Sequence, residues 1–475
     1  MTGRNGYPAT DEGHAGRTGA PRAVAAGYKR KKGAPHMRRR GRTAVARVAA
    51  RRVLSALLGP LHRLRRRGTP PPHAETVRLL LLHAYGMGGT IRTVLNLAGH
   101  LARDREVEVV SLIRERPEPF FPIPPGVRVT ALDDRLAPRG PAARLLSLLP
   151  SLLMPRHEKA RHRCTLWSDL LLVRYLRSLR SGVLITTRPG FNLAAAAFTR
   201  PGVIRVGQEH VTLRSHHPDL VRRIRRRYRR LDALVTLTRA DLKHYRRELK
   251  GVMPRRLVRI PNAIPPLAGD VSRLEEKAVV AIGRVVRAKG FDRLVQAWRH
   301  VAAAHPDWTL RIFGAGTPEN ERRLRAQIAE AGLEGKVLFL GSTPEVGVEL
   351  AKASLYVVSS RYEGFGMTIL EAMSKGVPVV SFDCPHGPRE IITHEHDGLL
   401  VRPGTPAALA EAIRRLIEDE PLRRRLGRNA LRTAEAYRPA AIIPQWDRLL
   451  AELVAARGGH ERSGREPAKA AAFTL

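Results

Sequence analysis

The chain has 475 residues, with 84 Lys and Arg against 43 Asp and Glu for a net charge of +41, and 43% of its residues are hydrophobic. That length and apolar content exclude a largely disordered protein and call for two globular domains plus tails. Two cysteines, Cys164 and Cys384, exclude a disulfide framework and fit a reducing cytoplasm, and no apolar run is long enough (about eighteen residues) for a transmembrane helix.

The charge is uneven. Residues 1–75 carry 18 basic and 3 acidic side chains, residues 76–265 carry 36 and 14, and residues 266–475 carry 30 and 26. A strongly basic first half ahead of a near-neutral second half points to an anionic partner for the N-terminal part: a membrane surface, an acidic polymer or nucleic acid. Specific nucleic-acid binding is disfavoured, because no aromatic stacking platform or reading motif accompanies the arginines.

Residues 1–75 read as a basic tail. The first 36 are Gly, Ala, Pro and Arg with almost no large apolar side chain and are expected to be disordered. Met37 is an alternative start. Residues 43–67 form a basic amphipathic stretch that would either lie on an anionic membrane or stand as a solvated arm. Arg47, Arg51 and Arg52 interrupt it and exclude a secretory signal.

From Val77 the pattern is α/β. VRLLLLHA, VEVVSLI, GVRVTAL, GVLITTR, VIRVGQEH and ALVTLT read as buried strands, and GMGGT leads from the first into an amphipathic helix. Residues 135–180 read as helical, with Asp133 and Asp134 in a loop before them. The basic run VRRIRRRYRRLD leaves Ile224, Tyr228 and Leu231 as its buried stripe; its arginines are either a solvated face or a patch for anionic lipid or an acidic acceptor.

Pro261, Pro265 and Pro266 mark a junction that ends a first domain at 76–264. KAVVAIGRV, WTLRIFGAG, KVLFLGS, LYVVSS, VPVVSFD and GLLV then alternate with helices and give a second doubly wound domain at 265–435. A helix at 436–456 is expected to pack back towards the first domain, and 457–475 to be a disordered tail. Two such domains face each other across a cleft at the carboxyl ends of their parallel sheets, where ligands bind in open α/β folds.

The densest chemistry lies in RYEGFGMTILEAMSKGVPVVSFD. Glu363 and Glu371 flank a Gly364-Phe365-Gly366 turn, after which the amides of Met367 and Thr368 open a helix and could meet an anion. Upstream stand Gly283-Arg284, Lys289-Gly290 and Gly314-Ala315-Gly316; downstream stand Gly376-Val377-Pro378-Val379-Val380 and Asp397-Gly398. In this order the set resembles the donor domain of retaining glycosyltransferases of family 4, which have the GT-B fold.

The resemblance implies that the second domain binds a nucleotide-sugar donor and the first an acceptor. Arg284 and Lys289 would face the donor diphosphate, Glu371 the ribose hydroxyls, and Glu363 the donor sugar. Gly364, Phe365, Gly366, Met367 and Thr368 would offer backbone to sugar and phosphate. In the first domain Gly88 and Gly89, together with Gly86, fit the glycine loop that approaches the diphosphate from across the cleft. His210 falls where the family places a histidine near the reacting centre, Glu209 is expected on the opposite face of its strand, and Asn262 shapes the hinge.

The implied activity is metal-independent hexosyl transfer, with UDP-hexose the default donor, to a cell-envelope glycan, polymer or lipid. The enzyme would be cytoplasmic and peripheral at the inner membrane face. No cofactor is implied: no D-x-D, Walker loop, zinc cluster or G-x-G-x-x-G after the first strand is present. A sugar-nucleotide epimerase of the same fold is the alternative, and the order of the motifs argues against it.

Overall fold

The computed structural model describes residues 73–463; the expected tail and its amphipathic stretch at 43–67 lie outside them. In the first lobe, β1 (Thr76–Leu81) leads through a glycine loop to α1 (Gly89–Leu101), then β2 (Glu106–Arg114) and β3 (Val127–Asp134). After these come α2 (Pro141–Leu148), α3 (Leu166–Ser178), β4 (Val183–Thr186), α4 (Pro189–Phe198) and β5 (Ile204–Glu209). The lobe continues with α5 (Pro218–Arg227), β6 (Ala233–Thr236), α6 (Arg239–Glu248) and β7 (Arg256–Arg259). The seven strands form one sheet in the order β3-β2-β1-β4-β5-β6-β7, all pairs parallel. Strands buried on both faces need apolar residues on both, which is why Val183–Thr186 and Ala233–Thr236 are buried throughout.

The second lobe holds β8 (Ala278–Ile282), α7 (Phe291–Ala304), β9 (Thr309–Phe313), α8 (Pro318–Glu330), β10 (Val337–Gly341) and α9 (Val346–Ala351). Then follow β11 (Leu355–Val358), α10 (Met367–Met373), β12 (Val379–Phe382), α11 (Pro388–Ile391), β13 (Gly398–Val401), α12 (Pro406–Glu418) and α13 (Glu420–Glu435). Its six strands are again all parallel, in the order β10-β9-β8-β11-β12-β13. Chain order reverses between β1 and β4 in one sheet and between β8 and β11 in the other. The loops leaving these four strands form the two sides of the cleft.

The chain crosses between lobes twice. The first crossing is Ile260 to Pro266, the second follows α13, and the Ile264 amide donates to the Tyr437 carbonyl at 2.9 Å. Asn262 is buried in this hinge. The last helix, α14 (Pro439–Ser463), returns to the first lobe: Ile442, Trp446, Leu449, Leu450 and Leu453 share a core with Val77, Leu79 and Val109.

Three local expectations are corrected. Residues 135–180 are not helical throughout: a turn-rich stretch separates α2 from α3, pinned by the Asp169 carboxylate, which accepts from Ser151 Oγ and the amides of Leu152 and Leu153. Asp133 and Asp134 end β3 rather than sitting in a loop, and Asp133 is buried because Arg135 and Arg139 neutralise it. The final helix runs past residue 456, where Arg457 forks onto the Asp232 carboxylate at 2.6–2.7 Å.

Candidate functional site

The site is built from the loops at the carboxyl ends of β8, β11, β1 and β5. After β8 the chain makes a short turn and then α7. Gly290 is left-handed (φ 68°), and a Cβ there would lie 2.1 Å from the Ser359 carbonyl, so only glycine lets the loops after β8 and β11 meet. This contact sets Lys289 beside the Glu363 turn. Lys289 Nζ donates to Glu363 Oε1 at 2.6 Å, and Ser360 Oγ donates to the same oxygen at 2.6 Å. The cation and carboxylate expected at donor phosphate and donor sugar thus pair with each other.

Glu371 is buried on the short helix α10, its side chain 4% exposed. Burial pushes its carboxyl above the usual carboxylate range, while Arg92 and Lys289 pull it back down. Arg92 Nη1 donates to Glu371 Oε1 at 3.1 Å from the opposite lobe. The Glu371 carboxylate thus faces the first lobe, and Lys289 acts on it from its own lobe.

Arg284 is exposed, lines the cleft cavity and has no ion pair among the described residues. It is a cation without a protein counter-charge, unlike Lys289. Gly88, the residue before α1, and Gly89 line the same cavity of about 350 Å³, together with Arg188, His210 and His216.

His210 follows β5. Its Nε2 is buried without a hydrogen-bond partner among the described residues, and burial, aided by Arg188, drives its pKa down to about 3. The imidazole is therefore neutral at physiological pH. It suits a hydrogen bond to a hydroxyl better than charge stabilisation. Its carbonyl lies 3.0 Å from the point where a Cβ on Gly364 would sit, so the Glu363–Gly366 turn touches it from the other lobe.

Glu209 has a double aspect. It also lines the cavity, but its Oε1 accepts from Asn192 Nδ2 at 2.8 Å and from the Tyr228 hydroxyl, a buried network that fixes β5 against α4 and the end of the arginine-rich segment. In α5 itself Ile224 is buried, as are Tyr228 and Leu231 after it, and the arginines face outwards; Arg222 pairs with Asp219.

Sequence reasoning missed Arg92 and Arg188. Arg188, paired with Glu158 at 3.5 Å, precedes α4 at the cavity wall. Among 84 basic residues nothing marks either one; Arg92 carries only the hint of lying four residues after Gly88, in the first turn of α1.

Two other features are a second cavity and a cluster of ligand-type atoms, whose His157 borders the cleft cavity. A cavity of about 440 Å³ is lined by Val285, Arg287, Asp292, Asn320 and Arg361 among others, with no residue of the first lobe. On the rim of the first lobe, His157, His217 and Asp219 bring ligand-type atoms within 4.8 Å. The two imidazoles stack face to face at 3.6 Å, so their in-plane lone pairs do not converge on one ion.

Residues 270–433 match the family model of glycosyl transferases group 1. The exopolysaccharide phosphotransferase of Streptomyces coelicolor is 37% identical over 402 residues, covering 81% of this chain and 42% of that protein. The poly(glycerol-phosphate) alpha-glucosyltransferase of Bacillus subtilis is 29% identical over 210 residues, covering 44% of this chain and 31% of that protein. The chain thus spans less than half the length of either relative. Among solved structures, a variant of S. aureus TarM in complex with fondaparinux, alpha-GlcNAc-glycerol and UDP superposes with a TM-score of 0.63 at 16% identity, over 79% of this chain and 99% of that one. The fold is the two-domain GT-B arrangement.

Proposed function

We propose that the chain is a retaining glycosyltransferase that moves a hexose from a nucleoside-diphosphate sugar, UDP-hexose by default, to a glycan, polymer or lipid of the cell envelope. The observation that carries this reading is the meeting of Lys289, Glu363 and Glu371 on one wall of the cleft, within the segment that matches the transferase family, opposite His210 and beside the unpaired Arg284.

On donor binding, Lys289 and Arg284 take the diphosphate. Three donors on an ammonium let Lys289 keep Glu363 while it reaches a phosphate oxygen. Glu363 then accepts from donor sugar hydroxyls, Glu371 from the ribose, and the neutral His210 bonds a sugar hydroxyl from the other lobe. As the bond from the anomeric carbon to the diphosphate breaks, its electron pair goes to the diphosphate oxygen, which the two cations stabilise. The acceptor oxygen bonds the same face of that carbon, and its proton passes to the departing diphosphate. Closure of the lobes excludes water from this step. No resident metal enters this scheme, since the cations belong to the chain.

The names of the two curated relatives concern exopolysaccharide and poly(glycerol-phosphate), which favours an extracellular polymer or its precursor as acceptor. The exposed arginines of α5 and the basic residues ahead of residue 76 suit an anionic membrane surface, which would hold the enzyme at the inner face of the membrane. No helix of the described residues is long and apolar enough to cross a membrane.

The test is release of free nucleoside diphosphate from a panel of nucleotide sugars, with and without EDTA and with vesicles of phosphatidylglycerol. One donor is expected to be consumed equally with and without chelator, by protein that sediments with the vesicles. Release abolished by EDTA and restored by a divalent ion would overturn the metal-free scheme, a freely soluble protein would remove the membrane role, and silence across the whole panel would overturn the transferase reading.

A further inference from the structure

The Arg92–Glu371 contact is unlike the other ion pairs of the site because its partners belong to opposite lobes and lie 279 residues apart. A carboxylate with 4% exposure is strongly disfavoured in its charged form unless a cation faces it. Two cations act on Glu371, Arg92 from α1 and Lys289 from the loop after β8, while the Tyr356 hydroxyl of β11, which donates to the Ile282 carbonyl, feels the charges of both Glu371 and Glu363. Lys289 is already bonded to Glu363 and Tyr356 carries no charge to offer, so Arg92 is the main counter-ion.

Arg92 is in turn fixed from behind. Its amide donates to the Gly88 carbonyl at 3.1 Å, and its guanidinium lies 5.8 Å from the Phe121 ring centroid. The same backbone that shapes the glycine loop thus aims the arginine, and Arg92 engages Oε1 of the carboxylate, so Oε2 is not taken by Arg92.

We propose that Arg92 is a positioning residue: carried by the first lobe, it orients the Glu371 carboxylate for nucleotide ribose, and it does so only when the lobes are closed. This rests on the donor reading above and adds to it a reason for closure to depend on the nucleotide. An open cleft withdraws the guanidinium from a carboxylate that has no second free cation, so ribose recognition and lobe closure become one event.

The test uses calorimetry on the full chain with UDP and 2′,3′-dideoxy-UDP. Wild type is expected to prefer UDP by at least about tenfold, the scale of one charged hydrogen bond. Arg92→Gln should shrink that preference to about threefold or less, Arg92→Lys should restore part of it, and on a Glu371→Gln background the effect of Arg92→Gln should vanish. Arg92→Gln should also make the UDP-to-dideoxy-UDP preference fall more steeply than in wild type as pH drops from 8 to 6, because burial then raises the carboxyl with only Lys289 opposing it; the phosphate titration common to both nucleotides cancels in the ratio. A role confined to holding the fold together would lower the melting temperature and leave both the ratio and the pH dependence unchanged. Full UDP preference in a folded Arg92→Gln protein overturns the assignment of Arg92 alone. Equal or absent binding of both nucleotides by wild type overturns the donor reading, and the assignment with it.

Discussion

The backbone carbonyl of His210, in the first lobe, stands 3.0 Å from the place a Cβ on Gly364 would occupy in the second. Two loops distant in sequence touch here at backbone distance, directly over Glu363. An alanine at this position forces the lobes apart by a few tenths of an ångström, and valine by more.

Gly364→Ala is therefore expected to lower kcat/KM about tenfold and Gly364→Val by about a hundredfold, the scale of a sub-ångström to ångström misplacement at a reacting centre. Neither change touches a lobe's core, so both melting temperatures should stay within about 2 °C of wild type. A loss of activity that tracks a loss of stability would argue against the contact as a closure stop.

Lys289 lies 2.6 Å from the Glu363 carboxylate, and in the proposed scheme it also serves the departing diphosphate. Lys289→Ala should cut turnover by about two to three orders of magnitude, the cost of removing one preorganised contact to developing charge. Product-diphosphate affinity should fall in parallel, which titration of the nucleotide measures. Unchanged turnover would remove Lys289 from the chemistry.

His210 gives the protein an acid-side weakness. Its pKa is about 3 folded against 6.5 as the ordinary value, so below pH 6.5 the unfolded chain binds the proton and the folded one does not. The stability of the neutral buried form is fully present above 6.5 and is lost as pH falls from there towards 3. Between pH 7 and pH 5 the loss from this group is about 2 kcal/mol. His210→Asn should flatten that part of the stability profile in urea titrations at the two pH values; an unaltered slope would show that the ring is free to protonate in the fold. His83, pushed down to about 4 by burial and by Arg163 and Arg188, adds a dependence of the same sign and remains in the variant.

Much of the architecture was legible because parallel strands buried on both faces leave long apolar runs, and the turns between them leave glycines and charges in fixed order. Lys289-Gly290 and Glu363-Gly364 are legible as parts of an ordered motif, and the structure adds that each pairs a charge with a glycine that the close approach of another loop demands. Arg92 did not stand out, because its significance lies in a partner across the cleft, and local patterning carries no trace of that distance. Glu209 was misjudged for a related reason. Alternation along β5 assigns a face, but it does not reveal that Asn192 and Tyr228 wait there to anchor the carboxylate while its edge still borders the cavity. The turn-rich stretch before α3 was hidden by composition, since leucines and arginines suit a helix and a packed turn alike.

Helix α14 supplies Trp446 and Leu450 to the core that contains β1. During synthesis on the ribosome, then, the lobe that emerges first must wait for α14, made after the whole second lobe, before its apolar surface is covered, while the second lobe needs no later segment and can settle earlier. A premature stop near residue 436 would leave the second lobe intact beside a half-clad neighbour, and that neighbour, with bare valines and leucines around β1 and β2, would be the part that chaperones and proteases meet.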